Sequence, residues 1–369
     1  MQSKTVKRLI AGTIAALMIG AMALPSGAAV NEAGVTSSQV TFIDTFTISE
    51  GDDAANLPAA TFNYSIAPGS GAAATATTPA IRSGIAGAEI SSAVHAATAS
   101  GTTTSNEIVT ADFSDCNFTA AGIYRYNVTE ELGETNVADD IAIDVANENL
   151  GTYVLDAYVK KDNGSFVPYA YIMSKAGDIE AYDNAADPQT VTYADKVNTI
   201  TNEYTTYNLT VSKTIVGDMA ANDFDFSIDL ASVPADVIFT QDGVDNTGSN
   251  AYALSAKLAN GSKTEIKGLP SSVSYKIQEA VNQLEGYKVE VTDINPDAGS
   301  YSWIGANGSA EAFGNSEATI IGKNDTTVGF TNTLSSISPT GVIIRIAPYA
   351  MMLGIGVVFL LMSLRRRRA

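Results

Sequence analysis

The sequence predicts an all-β protein: two tandem immunoglobulin-like β-sandwich domains between an N-terminal signal peptide and a C-terminal transmembrane helix. Three observations carry this reading. The interior is rich in Thr, Val, Tyr, Ala and Asn that alternate with a period of two, while helical periodicity is scarce. Turn signals such as Asn163-Gly164, Asn260-Gly261 and Gly268-Leu269-Pro270 punctuate the alternating runs. Two apolar runs bracket this interior, each beside a cluster of basic residues.

The first run belongs to a signal peptide over residues 1–29. Lys4, Lys7 and Arg8 precede the uncharged stretch Leu9 to Leu24, and Ser26-Gly27-Ala28-Ala29 offers small residues for cleavage after Ala28 or Ala29. Sixteen residues are short for a spanning helix, which needs about 20. The second run, 342–364, is long enough to span. Its one charge, Arg345, lies near the outer end where it can snorkel. The basic tail 365–369 holds Arg365 to Arg368, which keeps this end in the cytoplasm and everything before Val342 outside.

Charge narrows the function. The chain has 21 basic and 40 acidic residues, and the two ends take eight of the basic ones and no acid. The exported part therefore carries a net charge of −27, which disfavours nucleic acid as a partner. Cys116 is the only cysteine, so no intramolecular disulfide forms, and its Phe113 and Phe118 surroundings predict a buried, inert thiol. One histidine, one cysteine and no ligand cluster or nucleophile motif argue against an enzyme, a metal site or a cofactor.

About 310 residues between the ends suggest two domains, at 30–204 and 205–335. Only Thr205-Thr206 separates the last strand of one from the first strand of the other, implying a stiff pair. Within the first domain, about 67–106 is dominated by Ala, Gly, Ser and Thr and reads as an extended insertion. A short helix is expected around Ala88 to His95, with His95 solvated. In the second domain, Asp223 to Leu230 alternates almost perfectly and is the clearest half-buried strand.

Period two also says which polar residues face inward. Lys213 shares a face with Leu209, Val211 and Ile215; Glu279 with Val273, Tyr275 and Ile277; Asn332 with Val328, Phe330 and Leu334. Left unpaired in a core, each is costly, so the three are expected to meet. Burial lowers the pKa of a lysine and raises that of a carboxyl group. A neutral Lys213 amine is a nucleophile, and a protonated Glu279 can polarise the Asn332 carboxamide and shuttle protons. The outcome is either a Lys213–Asn332 amide with loss of ammonia or a hydrogen-bonded Lys–Glu pair with Asn332 satisfied nearby.

Several stretches bear on this choice: Phe113-Ser-Asp, Gly122-Ile-Tyr-Arg-Tyr-Asn-Val-Thr-Glu130, Thr201-Asn202, Lys213, Tyr275-Lys-Ile-Gln-Glu279 with Gly286-Tyr287, Phe330-Thr-Asn332 and Pro339-Thr-Gly341. From about Gln39 to Gly341 the chain resembles the shaft pilins of Gram-positive bacteria, the group A streptococcal major pilin type. The resemblance implies an autocatalytic Lys–Asn isopeptide bond assisted by Glu in each domain, and a subunit that a sortase chains into a covalent filament. In the second domain it assigns these roles to Lys213, Glu279 and Asn332.

The first domain departs from that pattern. Its middle strand offers Glu130 beside Tyr124, Tyr126 and Val128, and its last strand offers Asn202 beside Ile200. Its first strand puts Asp44 where the lysine belongs, in line with Val40, Phe42, Phe46 and Ile48. A carboxylate cannot form the amide, so no Lys–Asn bond is expected here and Glu130 is inactive. Asp44 and Glu130 are expected to share a proton or recruit a basic partner.

The segment 337–341, Ile-Ser-Pro-Thr-Gly, stands just before the membrane run and resembles a sortase sorting signal, with cleavage between Thr340 and Gly341. It departs from the common Leu-Pro-x-Thr-Gly form. By the same resemblance the acceptor lysine on the next subunit is Lys196, with Lys160, Lys161 and Lys175 as competitors. The partners implied are a sortase, other copies of the chain, accessory pilins, host surface ligands and, transiently, the membrane. The alternative is a wall-anchored adhesin or minor pilin that is attached but not chained.

Overall fold

The computed structural model describes residues 29–30, 38–74, 80–143, 151–175, 197–217, 223–280, 283, 287–295, 299–305 and 319–334. The signal region to residue 28, Lys196, the sorting motif with Thr340 and Gly341, the apolar run 342–364 and the basic tail lie outside the described residues. Among the described residues no helix is long and apolar enough to cross a membrane.

Among the described residues the structure is β-strand and loop, with a 3-10 turn at Ala138–Asp140. In chain order the strands up to residue 204 are β1 (Ala29–Val30), β2 (Gln39–Ile48), β3 (Ala60–Pro68), β4 (Ile81–Ser83), β5 (Glu89–Ile90), β6 (Ala93–His95), β7 (Thr104–Asp112), β8 (Gly122–Leu132), β9 (Ile141–Ile143), β10 (Thr152–Asp162), β11 (Ser165–Lys175) and β12 (Thr199–Tyr204). They form two sheets, one ordered β1-β11-β10-β8-β3-β6 with β4 beside β8, the other β5-β7-β2-β12-β9. After them come β13 (Tyr207–Val216), β14 (Phe224–Ala231), β15 (Ile238–Gln241), β16 (Val244–Thr247), β17 (Ala251–Leu258), β18 (Lys263–Leu269), β19 (Ser274–Glu279), β20 (Tyr287–Asn295), β21 (Gly299–Gly305), β22 (Thr319–Ile320) and β23 (Thr326–Leu334). These also make two sheets, β16-β15-β18-β13-β23-β20-β21 and β17-β14-β19-β22.

The chain divides into two compact units: residues 1–208 with 232–250 and 266–273, and residues 209–231 with 251–265 and 274–369. The segments after 208 that join the first unit are held there by named bonds. The buried Asn56 side chain donates to Asp236 O at 2.9 Å and accepts from Ile238 N at 2.7 Å, so it acts as a piece of backbone. The buried Asp140 carboxylate accepts from Ser271 N at 2.9 Å.

Alternation does what the sequence predicts in β14, where Phe224, Phe226, Ile228 and Leu230 are buried and the residues between them exposed. The first core is aromatic, with Phe113 edge-on to Tyr126 at 4.9 Å and Phe46 edge-on to Phe62 at 5.5 Å. Cys116 is buried in it, and burial pushes its thiol above the usual range, as an inert thiol requires.

Two expectations are corrected. No helix forms over Ala88 to His95, because Glu89 pairs with Asp112 and His95 with Ala60 as short strands. His95 is not solvated: it is 1% exposed. β8 departs from simple alternation as well. Ile123 and Arg125 are buried on the face opposite Tyr124 and Tyr126, because Arg125 makes a bidentate pair with Asp156 of β10 at 2.9 and 2.8 Å. Arg125→Ala leaves Asp156 as a buried charge without its cation, and is expected to lower stability by about 3–5 kcal/mol in a denaturant titration.

Candidate functional site

The site is built from the pairing of first and last strands. β13 and β23 run parallel, with Lys213 opposite Phe330 and Ile215 opposite Asn332. Lys213 and Asn332 therefore lie on neighbouring strands, two positions apart in register, and both point inward. Glu279 reaches them from the end of β19 in the other sheet. All three are fully enclosed, at 1%, 0% and 1% exposure for Lys213, Asn332 and Glu279.

One oxygen joins the three. Lys213 Nζ donates to Glu279 Oε1 at 2.5 Å, and Asn332 Nδ2 donates to the same atom at 2.8 Å. Phe224 and Phe226 wall the ammonium, their ring centres 4.3 and 5.8 Å from Nζ, and Phe226 stands edge-on to Phe330 at 5.0 Å. Burial pushes the Lys213 pKa down to about 8, against the opposing pull of Glu279. Burial likewise raises Glu279, and Lys213 and Asn332 only partly offset it. A carboxyl group held between two nitrogens, with both ionisations moved toward neutrality, can carry a proton from one nitrogen to the other. The two remaining acceptors, Glu279 Oε2 and Asn332 Oδ1, are buried and meet no donor among the described residues.

The first domain repeats this geometry with different side chains. β2 and β12 also run parallel, with Asp44 opposite Ile200 and Phe46 opposite Asn202. Asp44 thus occupies the register position of Lys213, and Asn202 that of Asn332. Glu130 pairs with Tyr64 of β3 as Glu279 pairs with Phe226 of β14. Tyr64 therefore replaces Phe226, and its hydroxyl contacts Asp44 Oδ2 and lies 2.7 Å from Glu130 Oε1. Asn202 Nδ2 donates to Glu130 Oε1 at 2.8 Å. His95 Nε2 lies 2.9 Å from Asp44 Oδ1, and its Nδ1 lies 2.9 Å from Ser105 Oγ. At the lysine position Asn202 faces the Asp44 carboxyl group in place of an amine.

The sequence reading foresaw both sets of inward residues and missed Tyr64 and His95. The alternation Ala60, Phe62, Tyr64 in β3 could have revealed Tyr64, since all three are buried on one face. His95 comes from a three-residue strand in a low-complexity stretch and left no periodic signal. Gly151 is a further hidden requirement. Its φ is +53°, and a Cβ there would stand 2.7 Å from Glu130 Cβ, so the close approach excludes a side chain. Of the competing acceptor lysines, Lys160 and Lys161 lie on β10 with their amines 5.7 Å from the Tyr169 ring centre and 5.9 Å from that of Phe166; Lys175 ends β11.

Comparison with known proteins gives the arrangement a context. Residues 39–211 match the Spy0128-like isopeptide containing domain, and residues 207–334 match a domain of unknown function (DUF7601). No curated protein matches the chain. Among solved structures, the major pilin protein T3.2 of Streptococcus pyogenes is similar with a TM-score of 0.54 and 19% identity, over 81% of this chain and 99% of that one. Another major pilin from Streptococcus pyogenes gives 0.54 and 18%, over 82% and 100%. The T-13 major pilin of the same species gives 0.53 and 18%, over 81% and 100%. The region matched to the isopeptide domain is thus the one in which Asp44 stands in the lysine position, while lysine, glutamate and asparagine are complete in 207–334. Over 81% of its length the chain thus has the fold of the Streptococcus pyogenes major pilins, and residues 39–211 are similar to the Spy0128-like isopeptide containing domain.

Proposed function

We propose that the chain is a structural subunit of a covalent cell-surface pilus, strengthened by a single autocatalytic Lys213–Asn332 isopeptide bond. The observation that carries this reading is Glu279 Oε1, which touches both the nitrogen that would attack and the nitrogen that would leave. The Lys213 amine, having given its proton to Glu279, attacks Cγ of Asn332. The C–N bond to Nδ2 breaks as Glu279 returns the proton to that nitrogen and takes up the second proton of the attacking nitrogen, so that ammonia departs and Glu279 ends protonated. An amide remains between the first and last strands of the domain.

The bond closes a loop of 119 positions. By analogy with a disulfide of that span it adds about 4–5 kcal/mol. Its mechanical effect is larger, since tension on the chain ends loads a covalent link rather than a row of hydrogen bonds. A protein with one cysteine has no disulfide to serve this purpose. Polymerisation uses the other chemistry: a sortase cleaves between Thr340 and Gly341 and passes Thr340 to a lysine of the next copy, for which Lys196 is the assigned acceptor. The membrane run then leaves with Gly341.

Three outcomes test this function. Intact-mass measurement of the exported protein should show the loss of one ammonia, and Lys213→Ala or Glu279→Ala should restore the full mass; loss of two would mean that the first domain also cross-links. The second outcome is a pH profile. The reactive pair holds one proton, Lys213 neutral and Glu279 protonated, and above about pH 8 that proton is lost. Cross-linking of freshly refolded chain should peak below this point, fall about tenfold per pH unit above it and fall again in acid where both groups hold protons; a rate that keeps rising above it would exclude Glu279 as proton carrier. Third, boiled wall extracts should give a covalent ladder that Lys196→Ala abolishes. A single band from the unaltered chain would instead indicate attachment without chaining.

A further inference from the structure

In the core of the first domain Asp44, Tyr64, His95, Glu130 and Asn202 form a polar cluster for which the cross-linking chemistry has no use. We propose that they form a reversible, non-covalent lock on the first and last strands, closed by one proton shared between Asp44 and Glu130 through Tyr64. This does not depend on the pilus reading, because it concerns one core and its own groups.

The proton follows from counting. Asp44 Oδ2, the Tyr64 hydroxyl and Glu130 Oε1 form a row of three oxygens, with each neighbouring pair in hydrogen-bond contact. Two contacts between oxygens need two protons. The phenol supplies one and retains it, since burial and the two adjacent carboxyl groups push its ionisation far above the usual range. The second must reside on a carboxyl group, and it belongs to the pair rather than to either residue.

The surroundings suit this state. Asn202 Nδ2 donates to Glu130 at 2.8 Å and lies 3.4 and 3.5 Å from the Asp44 oxygens, so β12 is tied to both acids. His95 from β6 contacts the remaining Asp44 oxygen and is anchored to Ser105 of β7. Phe46 and Phe62 flank its ring, with centroids 5.7 and 5.6 Å away. The buried cation of β8, Arg125, is engaged with Asp156 on the strand's other face. The lock thus spans β2, β3, β6, β8 and β12 and breaks no covalent bond when it opens. A subunit built this way has one domain that is tied permanently and one that can yield and close again.

An unfolded chain at neutral pH carries Asp44 and Glu130 ionised, so closing the lock takes up a proton. Folding of the first domain must then weaken as the pH rises for as long as the folded pair keeps this proton. Hydrogen exchange of the full chain reads this directly. Above roughly pH 7, where an unfolded histidine is neutral, protection of the β12 amides, corrected for intrinsic exchange, should fall as the pH rises. In Asp44→Asn the amide nitrogen can supply the second hydrogen permanently, so the domain should fold and the slope should vanish. A flat profile in the unaltered chain overturns the proposal, and so does an Asp44→Asn chain that keeps the slope. If that variant does not fold, Glu130→Gln makes the same comparison, and the unaltered profile still decides.

Discussion

An ionisable group taken out of water has to find its partner inside the protein, and both domains are organised around that constraint. The parallel pairing of first and last strands places one polar residue on each, two positions apart in register. A glutamate from the opposite sheet completes the set. Everything chemical about this protein follows from what occupies those positions. Their enclosure excludes water, so each polar atom must be satisfied by a neighbour, by a proton or by a new covalent bond.

The two domains meet the constraint in different ways, and the differences are coordinated. In the second, an amine and a carboxamide share one carboxyl oxygen between aromatic walls, an arrangement that brings nucleophile, proton carrier and leaving group together. In the first, aspartate replaces the amine. That substitution alone would set two acids against each other in a dry core. The change from phenylalanine to tyrosine at the paired position of the neighbouring strand puts a hydroxyl between them, and the only histidine of the chain is brought in against Asp44. Lys213 faces Phe226 where Asp44 faces Tyr64. The likeness of the whole chain to the streptococcal major pilins therefore coexists with a division of labour between its domains.

The energetic roles differ accordingly. A bond across 119 positions restrains the unfolded chain as well as the folded one. A hydrogen-bonded cluster has no such effect on the unfolded state, and no covalent bond breaks when it opens. Neither device requires a disulfide, which suits a chain whose one cysteine is a buried free thiol.

Much of the site was legible in the sequence because strands alternate. Once Leu209, Val211 and Ile215 define a face, Lys213 must lie on it, and the same logic exposes Glu279, Asn332, Asp44, Glu130 and Asn202. The expected export and sorting features are runs of composition at the two ends and lie outside the described residues. Tertiary structure alone decided what period two does not encode. Arg125 lies on the face opposite Tyr124 and Tyr126 and is buried there, because β10 offers Asp156 on that face. His95 lay in a stretch without pattern, and its burial depends on a three-residue strand pairing with β3. That one oxygen of Glu279 reaches both Lys213 and Asn332 depends on the packing of two sheets. Alternation records the side a residue faces; which atoms it meets there is set by strands distant in sequence.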